Sequence, residues 1–221
     1  MAMTEKTSPD PEEWAVSMEA RLLESALAHA PVLGWTSRLV AAAAADCGLS
    51  TPEAELLIPN GARDLAALLS RRHDQRGLDR LSGVEPGALK IRERIRQGLA
   101  ARLDAAMEDA PALRRWAGFL SLPPQMGLGL RLAWASADVI WRWAGDTATD
   151  ENHYSKRALV AGILISALAV RLTSGEAAAS VYLDARIANV MAFERWKAAL
   201  PRGDLGARLV ARLGRLRYGA P

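Results

Sequence analysis

The run WAGDTATDENHYSKRA, Trp143 to Ala158, holds the densest set of chemically able side chains in the sequence. Asp150 and His153 stand three apart, and Asp146 precedes them. On a helix, an acid-x-x-His pair shares one face, which is half of a di-iron carboxylate site. A complete site needs a second acid-x-x-His unit and further carboxylates. The other histidines, His29 and His73, have Ala26 and Ser70 three places before them. The expected role of Asp150 is therefore a helix cap, with His153 facing solvent and no metal bound. Neither a Ser-His-Asp pattern nor a phosphate-binding glycine loop is present. The single cysteine, Cys47, ends an Ala-rich helix and is expected to pack. With no catalytic constellation and no implied cofactor, the chain reads as a non-enzyme. Trp141, Trp143, Tyr154, Lys156 and Arg157 gather at the same bend. Trp, Tyr and Arg are the residue types that carry binding energy at interfaces.

Those residues need elements to hold them. Ala, Leu and Arg dominate the 221 residues, half of which are apolar. That composition predicts an all-α chain. Asp10 and Pro11 open an amphipathic helix with Trp14, Met18, Leu22 and Ala26 on one stripe. Gly34 breaks it. A second helix is predicted through Ala45 and a short third one from Ser50 or Thr51. The chain 62–72 is again helical, followed by a charged helix and a loop. Further helices are predicted over 89–109, 111–121, 127–144, 150–173 and 176–200, with a last one from Asp204. Gly145 suits the left-handed position past a helix end, and Ser174-Gly175 a helix stop. About ten helices result. The expected division is 1–85, 86–200 and 201–221.

The net charge is +3, but unevenly placed. The start is acidic, and the end carries Arg202, Arg208, Arg212, Arg215 and Arg217 against Asp204. One cysteine excludes an internal disulfide and fits a reducing compartment. The polar start lacks the pattern of a signal or transit peptide. The run 158–170, ALVAGILISALAV, is too short to span a bilayer, which takes about twenty residues. A cytoplasmic protein, peripherally associated with the inner membrane, is expected.

Three further segments invite a function. The arrangement from GWTSRLV to GARDLAALL resembles the helix-turn-helix of TetR-type regulators. Its second helix, TPEAELLI, presents Glu53 and Glu55 and no base-reading Arg, Lys, Asn or Gln. Two carboxylates repel a phosphate backbone, so a structural role without nucleic acid is expected. The alternative is a TetR-type regulator that senses a hydrophobic ligand. The second segment is 158–170, apolar on all sides, beside QMGLGLRLAWA and IANVMAF. Such a helix is enclosed by other elements or by a ligand, and composition leaves plain core and apolar chamber open. Chamber residues would be Met126, Leu130, Trp134, Ala161, Ile165, Leu168, Ile187 and Met191. The third is the terminal helix. It has Leu205, Leu209, Leu213 and Leu216 on one stripe and Arg208, Arg212 and Arg215 on another. It suits either docking on protein or an anionic membrane surface.

The run from Trp141 to Ala158 also resembles the signature of the COQ-nine (COQ9) family of ubiquinone-biosynthesis accessory proteins. That pattern is Trp, two residues, Ala-Gly-Asp, two residues, Thr-Asp, any residue, Asn, aromatic, Tyr, Ser or Thr, basic, Arg, Ala. LDARIANVMAFERWK and the TetR-like start fit as well. The resemblance implies a TetR-like fold, a homodimer, an apolar lipid-binding pocket for an isoprenoid quinone precursor or other lipid, and a membrane-associated last helix. It implies that a membrane-bound demethoxyubiquinone hydroxylase docks on a patch carried here by Asp138, Ile140, Trp141, Asp150, His153, Tyr154 and Arg157. The family can have Trp where this chain has His153, and the smaller ring would bury less area. On this reading Tyr154→Ala and Arg157→Glu weaken docking and leave the fold intact.

Overall fold

The computed structural model describes residues 10–146 and 151–199. Among them the regular structure is helical, with no strand. The helices are α1 (Pro11–Leu33), α2 (Ser37–Asp46), α3 (Thr51–Leu57), α4 (Ala62–Arg80), α5 (Ile91–Met107), α6 (Ala110–Ser121), α7 (Met126–Trp143) and α8 (Glu151–Ala199). Short 3-10 turns at Pro86–Ala88 and Pro123–Gln125 precede α5 and α7. The all-α class is as the composition predicts. The count of eight is lower than the ten expected, for two physical reasons. No breaker separates 62–72 from the charged stretch after it, so α4 runs through both. At Gly175 the backbone leaves the helix (φ 84°, ψ −173°), where Ser174-Gly175 predicts a stop, so α8 is two helices joined across a kink and counted as one element. The terminal helix from Asp204 lies outside the described residues.

Helix ends follow local chemistry. The Asp10 carboxylate accepts from the Glu12 backbone N–H at 3.1 Å, capping α1. Glu53 accepts from both the backbone N–H and the hydroxyl of Ser50, a capping box that starts α3. The first of the acidic pair on α3 is thereby spent on its own helix.

The chain divides into two compact units, Met1–Leu183 and Asp184–Pro221. Within the first, α1 packs on α2, α4 and α6, while α4 packs on α5 and α7. One core gathers Leu22, Leu39, Leu65, Leu69, Leu113 and Trp116. Buried indoles are satisfied: Trp35 donates to the Ala112 carbonyl at 3.3 Å and Trp116 to the Ala66 carbonyl at 3.0 Å. Cys47 is half-buried against this core. The α5–α7 crossing is close because residue 98 is glycine. A Cβ there would lie 2.7 Å from Ile140 Cγ2. The second unit is described as helix through Ala199.

The stretch Tyr154–Val190 of α8 is long and apolar enough to cross a membrane by length and composition alone, where the run 158–170 was judged too short. Packing accounts for part of that apolarity, since Val160, Ala161, Ile163, Leu164 and Ala167 are buried in the first unit. Arg171 inside the stretch pairs with Asp104 at 2.9 Å and Glu176 at 3.1 Å.

Candidate functional site

An apolar cavity of about 400 Å³ lies in the first unit, between α6, α7 and α8 with α4 and α5 behind. That is within the range of small-ligand pockets, about 300–1,000 Å³. Its walls are Trp116, Ala117, Leu120, Gly129, Ala133, Leu164, Leu168, Ala169 and Leu172. Small residues on α7, Gly129 and Ala133, withhold the volume that would fill it. Met126, Leu130 and Ile165 also border it and are exposed, the first two at 52 and 61 %. Ser70, Arg102 and Ser136 border it and are buried. The cavity thus has an apolar mouth and a polar closed end.

The expected chamber residues divide. Met126, Leu130, Ile165 and Leu168 border the cavity. Trp134 does not; it faces Tyr154, with ring centroids 6.1 Å apart. Ala161 is buried outside the lining. Ile187 and Met191 belong to the second unit, and the Met191 side chain is outside the described residues. No motif marks Arg102, Ser70 or Ser136. A signal existed for Arg102, because Ile95, Leu99, Arg102 and Ala106 follow one helical stripe. A cation on an apolar stripe requires a buried partner. That partner is Asp74, whose Oδ1 lies 2.5 Å from Arg102 Nε and accepts from the Ser136 hydroxyl at 2.6 Å.

The expected docking residues lie at the α7–α8 bend, in two environments. Arg157, at 2 % side-chain exposure, binds Asp138 Oδ1 through Nε at 2.6 Å and Asp146 Oδ2 through Nη1 at 3.3 Å. Lys156 reaches Asp146 Oδ1 at 2.9 Å and stands 5.3 Å above the Trp141 ring. The Trp141 indole donates to the Lys156 carbonyl at 3.1 Å. Burial pushes both carboxylates up, but their cations more than offset it. Asp138 is held below the usual range by Arg157 and Arg142, and Asp146 by Lys156 and Arg157. Three of the residues that the resemblance sets on a docking patch, Ile140, Trp141 and Arg157, are buried, because apolar bulk and a paired guanidinium serve the α7–α8 junction. Arg157→Glu, expected to leave the fold intact, would break these α7–α8 ion pairs. Asp138 is part-exposed and Tyr154 is exposed at 65 %. Asp150 lies outside the described residues, as does the His153 side chain.

Residues 126–194 match the COQ9 family model. This segment holds α7, the bend with its ion pairs, and the α8 wall of the cavity. By that segment the chain is similar to the COQ9 family. It is 29 % identical over 157 residues to the ubiquinone biosynthesis protein COQ9, mitochondrial, of Bos taurus, covering 66 % of this chain and 48 % of that one. Identity to the Rattus norvegicus protein of the same name is 28 % over 157 residues, covering 66 and 49 %. For the Homo sapiens protein it is 27 % over 154 residues, covering 66 and 48 %. The chain spans about half the length of these COQ9 relatives.

Proposed function

We propose that this chain is a non-enzymatic lipid-binding accessory protein of ubiquinone biosynthesis. It holds the apolar part of a quinone precursor and presents it to the membrane-bound demethoxyubiquinone hydroxylase. The observation that carries this reading is the cavity bordered by the COQ9-family segment. The physical task is clear. Each methylene drawn from a bilayer into water costs about 0.8 kcal/mol. A polyprenyl tail cannot leave the membrane unaided, and a chamber that shields its first units lowers that cost. The cavity would take those units while the rest stays in the bilayer. The Leu/Arg stripe over 205–216 would hold the protein there as a peripheral homodimer. The exposed Tyr154 and part-exposed Asp138 would meet the hydroxylase. A TetR-like fold without DNA binding fits this role, since Glu53 is an ionised cap on α3. Its carboxyl is lowered by the Ser50 hydroxyl and backbone N–H.

Lipid extraction and mass spectrometry of the protein purified without detergent tests the reading. Isoprenoid lipid at near one per chain is expected. A protein that is lipid-free, and stays so after mixing with quinone-loaded vesicles, overturns it. Salt-sensitive, sequence-specific retardation of DNA would favour the regulator alternative.

A further inference from the structure

We propose that Arg102, with Ser70, reads a neutral oxygen on the ligand. The ligand then sits with an oxygenated end at the closed end of the cavity and its hydrocarbon toward the mouth. This deepens the lipid-binding reading and rests on it. The exposure gradient of the lining gives the direction. Met126 and Leu130 are open to solvent, while Arg102 and Ser70 are 5 and 2 % exposed. A purely hydrocarbon ligand needs no buried guanidinium, and burying one is costly.

The donors can be counted. Arg102 Nε is held by Asp74 at 2.5 Å, and Nη2 reaches the Ser70 hydroxyl oxygen at 3.4 Å. Nη1 has no hydrogen-bond acceptor among the described residues. The Ser136 proton is committed to Asp74. The Ser70 hydroxyl, accepting from Nη2, retains its own proton to donate. Both Nη1 N–H groups, the second N–H of Nη2 and the Ser70 hydroxyl proton therefore remain uncommitted, on two residues that border the cavity. An acceptor oxygen completes them.

Charge chooses the class of oxygen. Arg102 and Asp74 cancel, so the closed end is neutral overall. A carboxylate or phosphate seated there would be a buried net anion, which is disfavoured. A carbonyl, ether or phenolic oxygen adds a hydrogen bond without adding charge. The ligand class is thus a long apolar chain or isoprenoid ending in a neutral oxygenated group.

The test uses delipidated full-length protein and three probes delivered from cyclodextrin: 2-dodecanone, dodecane and dodecanoate. Binding is followed by tryptophan fluorescence, to which Trp116 on the wall contributes. Wild type should bind the ketone about tenfold tighter than the alkane, as one charge-assisted hydrogen bond allows. It should bind dodecanoate no tighter than the ketone. The ¹³C carbonyl resonance of bound 2-dodecanone should move downfield. In the double variant Asp74→Leu/Arg102→Met, the ketone-to-alkane ratio should fall several-fold, with alkane binding kept and the remainder carried by the Ser70 and Ser136 hydroxyls. Ser70→Ala, which leaves the ion pair in place, should lower the ratio in part and reads the same effect if the double variant does not fold. Equal binding of ketone and alkane by wild type overturns this proposal and leaves the lipid chamber standing. Dodecanoate as the tightest ligand overturns the neutral-oxygen assignment. No binding of any probe overturns both.

Discussion

Arg157 at the start of α8 and Asp138 in the middle of α7 are joined by a 2.6 Å contact from Nε to Oδ1. The guanidinium is buried and also meets Asp146. This pair ties α8 to α7, both of which line the cavity. Sequence alone set Arg157 on an outer docking face. The structure makes it a bolt between the two helices.

The first prediction follows from that bolt. Arg157→Met leaves Asp138 and Asp146 near each other without their shared cation. Breaking a buried pair by removing one partner costs about 3–5 kcal/mol. Asp138 is part-exposed, so the lower figure, about 3 kcal/mol, is expected in urea unfolding. Arg157→Glu should cost more, since it adds a third carboxylate. A loss under about 1 kcal/mol would show that the bolt carries no load.

Tyr154→Ala should behave in the opposite way. The ring is exposed and packs on Trp134 in a tilted contact. Such pairs contribute roughly 0.5–1.5 kcal/mol, so a stability loss of about 1 kcal/mol is expected. Co-purification with the hydroxylase should fall at least tenfold. Unchanged capture by this well-folded variant would remove Tyr154 from the docking face.

His73 makes a pH prediction. It is buried, shares a proton with Asp109 at 2.9 Å, and has no hydrogen-bond partner for Nδ1. Burial lowers its pKa below 6.5, against the upward pull of Asp109, and Arg102 lowers it further. In the unfolded chain the imidazole protonates near pH 6.5, while in the folded protein it stays neutral. The unfolded state therefore binds more protons in this window, and stability falls as pH drops below 6.5. Asp109 acts lower. Burial raises its carboxyl, but His73, Arg72 and Arg76 outweigh burial and hold it below 3.8. Its contribution is present above the unfolded value and lost as pH falls through the folded one. His73→Gln should flatten the profile just below pH 6.5 and also weaken the acid loss below pH 3.8, because it removes the imidazole that helps hold Asp109 low. A wild-type curve already flat just below pH 6.5 would contradict the assignment of His73.

The helix crossings give a packing prediction. Gly98→Ala gains up to about 1 kcal/mol of helix propensity. It also drives a methyl to 2.7 Å from Ile140 Cγ2. Overpacking of this kind costs about 1–3 kcal/mol, so net destabilisation of about 1 kcal/mol is expected. Ile140→Ala in the same chain removes the clashing methyl and should be less harmful than on the wild-type background. Additive losses in that cycle would show that the two helices adjust.

Legibility in the sequence tracked distance along the chain. Asp10 as a cap, Gly145 at φ 85° and Gly175 as an interruption are local events, and one short window contains the cause of each. The apolar runs of α7 and α8 likewise announced enclosure, but left plain core and chamber open. The closed end of the cavity did not announce itself. Ser70, Asp74, Arg102 and Ser136 come from three helices and meet only when α4, α5 and α7 pack. The direction faced by Arg157 was hidden for the same reason. A basic residue at a bend reads as surface until Asp138 and Asp146 are brought to it.

The cavity itself makes the last prediction. Ala133 is buried on α7 and borders the empty volume. Ala133→Phe would place a ring in that space. Filling a void in a core without strain is neutral or stabilising, whereas overfilling a packed site is not. Thermal unfolding of the variant should therefore match or exceed wild type, and its lipid content by mass spectrometry should drop to background. Ser70, Arg102 and the α7–α8 ion pairs are untouched by the change, so docking on the hydroxylase should survive it. A variant that is stable, monitored by circular dichroism, and still carries lipid in full would mean that the ligand is held elsewhere than between α6, α7 and α8.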